Sequence, residues 1–327
     1  MNEKLLEIKN LTVEYETDTS TVHAVNDLSL AINKGETFGL VGETGAGKTT
    51  TALSIMRLLP DRIGFIRNGS IIFEGEDLVR ESEAELRKIR GEKISMIYAD
   101  PMTSLNPLIT IGEQIGEVLE LHHPEMTKAQ RIERVEEMLT LIGLPPERKD
   151  EYPHQFSGGM KQRIVIAIGL ACDPELLIAD EPTTALDVTI QAQVLEMMNE
   201  LQRKFNTSII LITHDLGVVA QTCKRVAVMY SGEIIEEGSV EAVFCREMNH
   251  PYTTGLFDSI PDLKSTSKWL KPIEGMMPDP TKLPSGCCFH DRCPFCEEKC
   301  RVSKPENYYI GQHMIRCHRF AGKGEAR

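Results

Sequence analysis

The chain has 327 residues, of which 41% are apolar and 26% charged, with a formal net charge of −13 and a pI near 5.3. That length holds one large domain and a smaller appended unit, because single cores rarely grow beyond about 250 to 300 residues. The acidic balance argues against a broad phosphate-backbone footprint, so no nucleic acid is expected as a main partner. No apolar run approaches the roughly 18 residues that would span a bilayer.

The opening stretch "MNEKLLEIKNLTVEY" carries early acids and lacks an apolar core followed by a small-residue cleavage site, so it does not read as a secretory signal. A cytosolic location is expected. Residues 5–13, "LLEIKNLTV", alternate as a strand does, and "SLAINKGETFGLVGETGAGKTTTALSIMRLL" reads strand, glycine-rich turn, helix. Residues 112–143 place apolar side chains at helical spacing among acids and bases, which predicts a helical insertion in the strand pattern. Two short apolar strands follow, "LLIAD" at 176–180 and "SIILITHD" at 208–215, with a helix between them in "TIQAQVLEMMNELQRKF". Apolar strands alternating with helices predict an α/β fold with a largely parallel, buried sheet.

From about Asn249 the texture turns rich in proline and turn residues without a long periodic element, which places a domain boundary near residue 255. Of nine cysteines, Cys172, Cys223 and Cys245 are scattered, whereas Cys287, Cys288, Cys293, Cys296, Cys300 and Cys317 crowd the end of the chain. In a reducing compartment such crowding favours metal binding over disulfides.

Two stretches carry chemistry. "GETGAGKT", Gly42 to Thr49, fits Gly-x-x-x-x-Gly-Lys-[Ser/Thr] between a strand and a helix, the context a phosphate-binding loop requires. Its backbone N–H groups turn inward around phosphate oxygens, and the following helix adds its positive end. Lys48 is expected on the β- and γ-phosphates and Thr49 on Mg²⁺, with Gly42, Thr44, Gly45, Ala46, Gly47 and Thr50 completing the ATP-binding loop. "ELLIADEP" ends an apolar strand in two acids; Asp180 is expected to hold Mg²⁺, and Glu181 to orient or deprotonate the attacking water.

Three further stretches, in order with these, resemble one superfamily. "FSGGMKQR" at 156–163 resembles the ABC-ATPase signature, "TTALDV" at 183–188 the loop after its magnesium-site strand, and "LITHDL" at 211–216 its switch histidine. The resemblance implies an ABC-type P-loop nucleotide-binding domain at 1–255, a mixed sheet with a RecA-like core and an inserted helical subdomain at about 100–170. It further implies that two cassettes close head to tail, so that Ser157, Gly158 and Gly159 of one reach the ATP of the other. His214 would then contact the γ-phosphate, Asp187 would couple the two sites across the interface, and Tyr15 would stack on adenine.

"DPMTSLNPLITIGEQI", "NHPYTTGLFDSIP" and "GCCFHDRC" resemble more narrowly the ATPase subunits of oligopeptide, dipeptide and nickel importers. That resemblance implies peptide import, two membrane permease subunits, a second and non-identical ATPase subunit, an extracellular peptide-binding protein, and a peripheral place on the cytoplasmic face of the membrane. Import of nickel or another solute is the alternative, and an ABC ATPase acting on nucleic acid or ribosomes the more distant one. The sequence departs from the pattern at Ala99, where the family usually has glutamine in the stretch "IYADP"; weakened hydrolysis or coupling with ATP binding retained is the expectation.

The family's cysteine pattern falls on Cys287, Cys293, Cys300 and Cys317, spaced Cys-x5-Cys-x6-Cys-x16-Cys. Wide and uneven gaps suit a [4Fe–4S] cluster, with zinc the alternative, and make 256–327 a cysteine-rich, metal-cluster extension. Cys288 and Cys296 are read as packing thiols.

Overall fold

The computed structural model describes residues 3–98, 100–184, 186–260 and 271–326. Its strands are β1 (Lys4–Glu16), β2 (Thr21–Asn33), β3 (Thr37–Val41), β4 (Gly64–Phe73), β5 (Glu76–Asp77), β6 (Ile94–Ile97), β7 (Leu176–Asp180), β8 (Ser208–Thr213), β9 (Arg225–Tyr230), β10 (Glu233–Ser239), β11 (Tyr308–Ile310), β12 (His313–Ile315) and β13 (Glu325–Ala326). Its α-helices are α1 (Lys48–Ile55), α2 (Glu83–Ile89), α3 (Pro101–Ser104), α4 (Ile111–His122), α5 (Lys128–Leu141), α6 (Gly158–Leu170), α7 (Val188–Phe205), α8 (Leu216–Thr222), α9 (Val240–Phe244), α10 (Pro251–Asp258) and α11 (Glu298–Val302). The chain divides into two compact units, each discontinuous in sequence. One comprises Met1–Leu6, Ile32–Thr37 and Phe73–Ile212, the other Glu7–Ala31, Phe38–Ile72 and Thr213–Arg327. The boundary expected near residue 255 falls inside the second unit.

In the first unit β6, β7 and β8 run parallel, with Ile94 opposite Leu176 and Leu176 opposite Ser208. Every residue of β7 and β8 is buried, which is why both read as unbroken apolar runs rather than alternating ones. The helical insertion is present as α3 to α6. Thr110 and Thr127 open α4 and α5 with capping boxes, each accepting from the backbone N–H three residues on while Glu113 or Gln130 reaches back. Ile111, Ile115 and Leu119 of α4 and Val135, Met138 and Leu139 of α5 supply the buried apolar face.

The second unit holds most of the β2-β1-β4 sheet and a second sheet with the order β3, β9, β10, β12, β11, β13. Strands β3 and β9 are parallel; β9 with β10, β10 with β12, and β11 with both β12 and β13 are antiparallel. The sheet is therefore mixed, and the cysteine-rich segment continues it: Glu236 of β10 lies opposite Ile315 of β12. Tyr308, Ile315, Cys317 and Phe320 form a small buried cluster there.

The stretch after Asn249, expected to lack a long periodic element, starts with a short helix, Pro251–Asp258, two turns long and capped by His250. Its proline occupies the first helical position, where the missing N–H costs nothing, so it starts the helix instead of breaking it.

Candidate functional site

The second unit carries the phosphate loop. Gly47, at φ 105, is the N-cap of α1, and a Cβ there would meet the Ala24 carbonyl oxygen at 2.4 Å, so only glycine fits. The Lys48 side chain is buried and curls back over the loop, its ammonium donating to the carbonyls of Gly42 at 2.8 Å and Glu43 at 3.0 Å. The loop is thus preformed around a buried cation at a helix N-terminus, the combination that attracts a polyphosphate. Thr49 and Thr50 follow in the first turn of α1. The Tyr15 hydroxyl donates to Thr50 Oγ1 at 3.2 Å, holding the half-buried ring beside that turn.

Two further contacts hold the loop, and neither was expected from the sequence. The Tyr252 hydroxyl accepts from the Glu43 backbone N–H at 2.9 Å. Arg292, in the cysteine-rich segment, grips the Glu43 carboxylate with two N–H groups at 2.8 and 3.1 Å. Its side chain is 6% exposed and also donates to the carbonyls of Glu274 and Ile273 and to the Tyr230 hydroxyl. Phe289, fully buried, stacks edge-on among Tyr230, Tyr252 and His250. His214 is exposed just ahead of α8, whose N-cap Asp215 accepts from the N–H groups of Gly217 and Val218.

The first unit carries the acids. Asp180 is buried at the end of β7, and its charge, after burial, helps to push the nearby Tyr98 hydroxyl above its ordinary value. A carboxylate is a hard oxygen donor of the kind Mg²⁺ takes. Glu181 stands at φ 50, left-handed backbone that a non-glycine residue adopts at a cost of about 1 to 3 kcal/mol and that clusters at functional sites. Its N–H donates to the Ile212 carbonyl, and its carboxylate accepts from Thr184 Oγ1 at 2.9 Å, so the side chain is aimed. Thr184 was not singled out by the sequence.

In the same unit Ser157 is the N-cap of α6, accepting from the Met160 N–H. Ser157 and Gly158 are exposed, and Gly159 begins to be covered, so the first amides of α6 face outward. Phe156 anchors this turn beneath the Arg148 guanidinium, 4.1 Å from the ring centre. Asp187 caps α7, accepting from the N–H groups of Thr189 and Ile190. Ala99 and Ala185 lie outside the described residues, and with them the expectation attached to Ala99.

The cysteine-rich segment returns to the second unit. The Cys287 N–H donates to the Cys300 carbonyl at 2.8 Å, and a Cβ on Gly286 would meet that same oxygen at 2.1 Å, so the glycine lets the two passes of chain touch. Burial pushes the Cys287 thiol up to about 12, reinforced by Cys317, Cys293 and Cys300 around it. Cys317 rises to about 11, again from burial first and then from Cys293 and Cys300. The thiols expected as ligands thus lie near enough to act on one another electrostatically. Cys288 points instead toward Glu233 and Lys304. Among the described residues the tail thiols supply no set of three sulfurs lying within 4.8 Å of one another.

Residues 25–184 match the family model described as ABC transporter, and residues 235–300 that described as oligopeptide/dipeptide transporter, C-terminal region. The chain is 51% identical to the dipeptide transport ATP-binding protein DppD of Bacillus subtilis, over 96% of this chain and 94% of that one. It is also 51% identical to the oligopeptide transport ATP-binding protein OppD of Haemophilus influenzae, over 91% and 92%. Among solved structures it resembles a dimeric, post-hydrolysis form of the ATP-binding cassette MJ0796 bound to ADP and phosphate, with a TM-score of 0.64, 28% identity and coverage of 72% of this chain and 98% of that one. The cbiO1 subunit of a Clostridium perfringens ABC transporter complex gives 0.65 and 26%, over 75% and 92%. With a mixed-sheet P-loop fold, a preformed phosphate loop and relatives at this identity over nearly its whole length, the chain belongs to the ABC transporter family of oligopeptide and dipeptide transport ATP-binding subunits.

Proposed function

We propose that the chain binds and hydrolyses ATP to power the import of di- and oligopeptides. It would act at the cytoplasmic face of the membrane on two permease subunits, beside a second, non-identical ATPase subunit, with an extracellular binding protein delivering the peptide. The observation that carries this reading is that half-identity to dipeptide and oligopeptide transport ATP-binding proteins runs through both the cassette and the C-terminal region.

Each residue has a role that its chemistry supports. Lys48 and the amides from Gly42 to Thr50 hold the β- and γ-phosphates, and Tyr15 stacks on adenine. Thr49 and Asp180 would hold Mg²⁺, which when bound neutralises phosphate charge. Glu181 accepts a proton from the attacking water, whose oxygen bonds to the γ-phosphorus as the bond to the ADP oxygen breaks. His214 positions the γ-phosphate, Ser157, Gly158 and Gly159 serve the ATP of the partner subunit, and Asp187 couples the two sites. The strained, Thr184-tethered Glu181 fits a base held ready at fixed orientation.

Cys287, Cys293, Cys300 and Cys317 would hold a [4Fe–4S] cluster, which supplies a covalent cross-link for a tail with a small apolar core. The wide, uneven gaps between these cysteines suit a cluster better than a structural zinc, which favours paired short spacings.

Reconstitution with the permeases in vesicles tests the function, with ATP-dependent peptide uptake as the expected result. Glu181→Gln should retain ATP, drop turnover at least about 100-fold and trap the closed dimer on size-exclusion chromatography. Normal turnover by that variant would remove Glu181 from the role of base.

A further inference from the structure

The first unit brings together three side chains that the transport chemistry does not use. Glu92 lies in the turn ahead of β6, His123 caps the C-terminus of α4, and Cys172 follows α6. Their ligand atoms, a carboxylate oxygen, an imidazole nitrogen and a thiol sulfur, all lie within 4.8 Å of one another. Spread over 80 positions (172 − 92), they form no motif in the sequence.

Three observations point to a ligand. Glu92 Oε2 is buried and makes no hydrogen bond, although it faces His123 Nε2 at 3.4 Å. Two donors each about 2.0 to 2.1 Å from a tetrahedral ion stand about 3.4 Å apart, so the pair already has the spacing of one edge of such a site. The other ring nitrogen, His123 Nδ1, meets the Glu125 carboxylate at 3.3 Å, the outer contact that fixes the tautomer and orientation of a metal-bound histidine. The nearby Arg134 guanidinium is already engaged by Asp173, Glu137 and the Ala171 carbonyl, so its charge is largely compensated.

We propose that Glu92, His123 and Cys172 form a zinc site with water in the fourth position, clamping the ends of α4 and α6 to the turn that leads into β6. A sulfur, nitrogen and oxygen set selects a borderline cation over Mg²⁺ or Ca²⁺, which take oxygen alone. On binding, the zinc–sulfur bond forms as the Cys172 S–H bond breaks, and the proton leaves to water. The site is separate from the tail cysteines, all of which lie in the other unit.

The test is metal content and Co²⁺ spectroscopy on the full chain. Dialysed against zinc and passed over a chelating resin, the wild-type protein should carry one zinc more per chain than His123→Ala or Cys172→Ser, with tail iron unchanged among the three. Co²⁺ should give visible absorption with a thiolate charge-transfer band in the wild type and not in Cys172→Ser. Glu125→Gln should weaken Co²⁺ binding about 10- to 100-fold. Equal zinc and identical Co²⁺ spectra in wild type and folded variants overturn the site. If a variant fails to fold, anomalous diffraction at the zinc edge from zinc-soaked wild-type crystals decides: a peak among the three side chains upholds the site, and its absence refutes it.

Discussion

Replacing Arg292 with alanine removes the grip of the cysteine-rich segment on the phosphate loop. The guanidinium makes two charge-assisted bonds to Glu43 and three more to Tyr230, Glu274 and Ile273. Breaking a buried pair from one side costs about 3 to 5 kcal/mol, and an exposed pair about 0 to 1 kcal/mol. With Arg292 6% exposed and Glu43 30%, the stranded carboxylate recovers some hydration, which places the loss near about 3 kcal/mol. At about 2 to 4 °C per kcal/mol, the melting temperature should fall by about 6 to 12 °C. Because Glu43 is the second residue of the loop, part of this loss falls on nucleotide binding: if half is borne there, affinity drops about tenfold. Glu43→Gln keeps an acceptor for one bond and should lose less than half as much. The assays are a thermal melt with and without nucleotide and a titration with a fluorescent ATP analogue. An Arg292→Ala protein melting within 2 °C of wild type, with unchanged affinity, would refute the reasoning.

Two further outcomes are expected. Burial lowers His250 to about 3, so the folded protein keeps it neutral while the unfolded chain takes up a proton below about 6.5; its contribution is complete above that pH and is lost as pH falls toward 3. His250→Asn keeps the acceptor for the Tyr252 N–H without titrating in that range; it should lose about 2 kcal/mol at pH 7.5 through poorer packing against Phe289, yet decline less steeply from pH 6.5 to 5. Parallel stability curves by urea unfolding would contradict this. Cys300→Ser should cut iron and acid-labile sulfide from about four of each per chain to well below one, and destabilise the tail strands in hydrogen exchange. One zinc and no iron in the wild type would replace the cluster with a tetrahedral site.

The phosphate loop, Asp180–Glu181 and the α6 signature were legible because their chemistry is local: a few consecutive residues set both the backbone path and the donors. The same holds for β7 and β8, whose full burial leaves an unbroken apolar run. The bond between Glu43 and Arg292, 249 positions apart, has no local trace, since an acid and a base at that distance are indistinguishable from surface charges. Glu92, His123 and Cys172 were hidden for the same reason. The helix at Pro251–Asp258 left little trace on a different ground: at eight residues it is too short to show a long periodic pattern. Thr184 shows a third limit: its hydroxyl matters only because Glu181 adopts a left-handed backbone that no propensity foretells.

The pairing of β12 with β10 bears on how such a chain tolerates being shortened. Ending it after α10 would strip the cover from β10 and leave a row of unpaired backbone groups, the kind of border along which chains stick to one another. It would also take away His313, whose imidazole meets Glu236, a carboxylate with no solvent exposure at all. A truncated cassette would therefore be prone to clump even with its nucleotide loop intact, so trimming this subunit to a minimal ATPase calls for a replacement border strand.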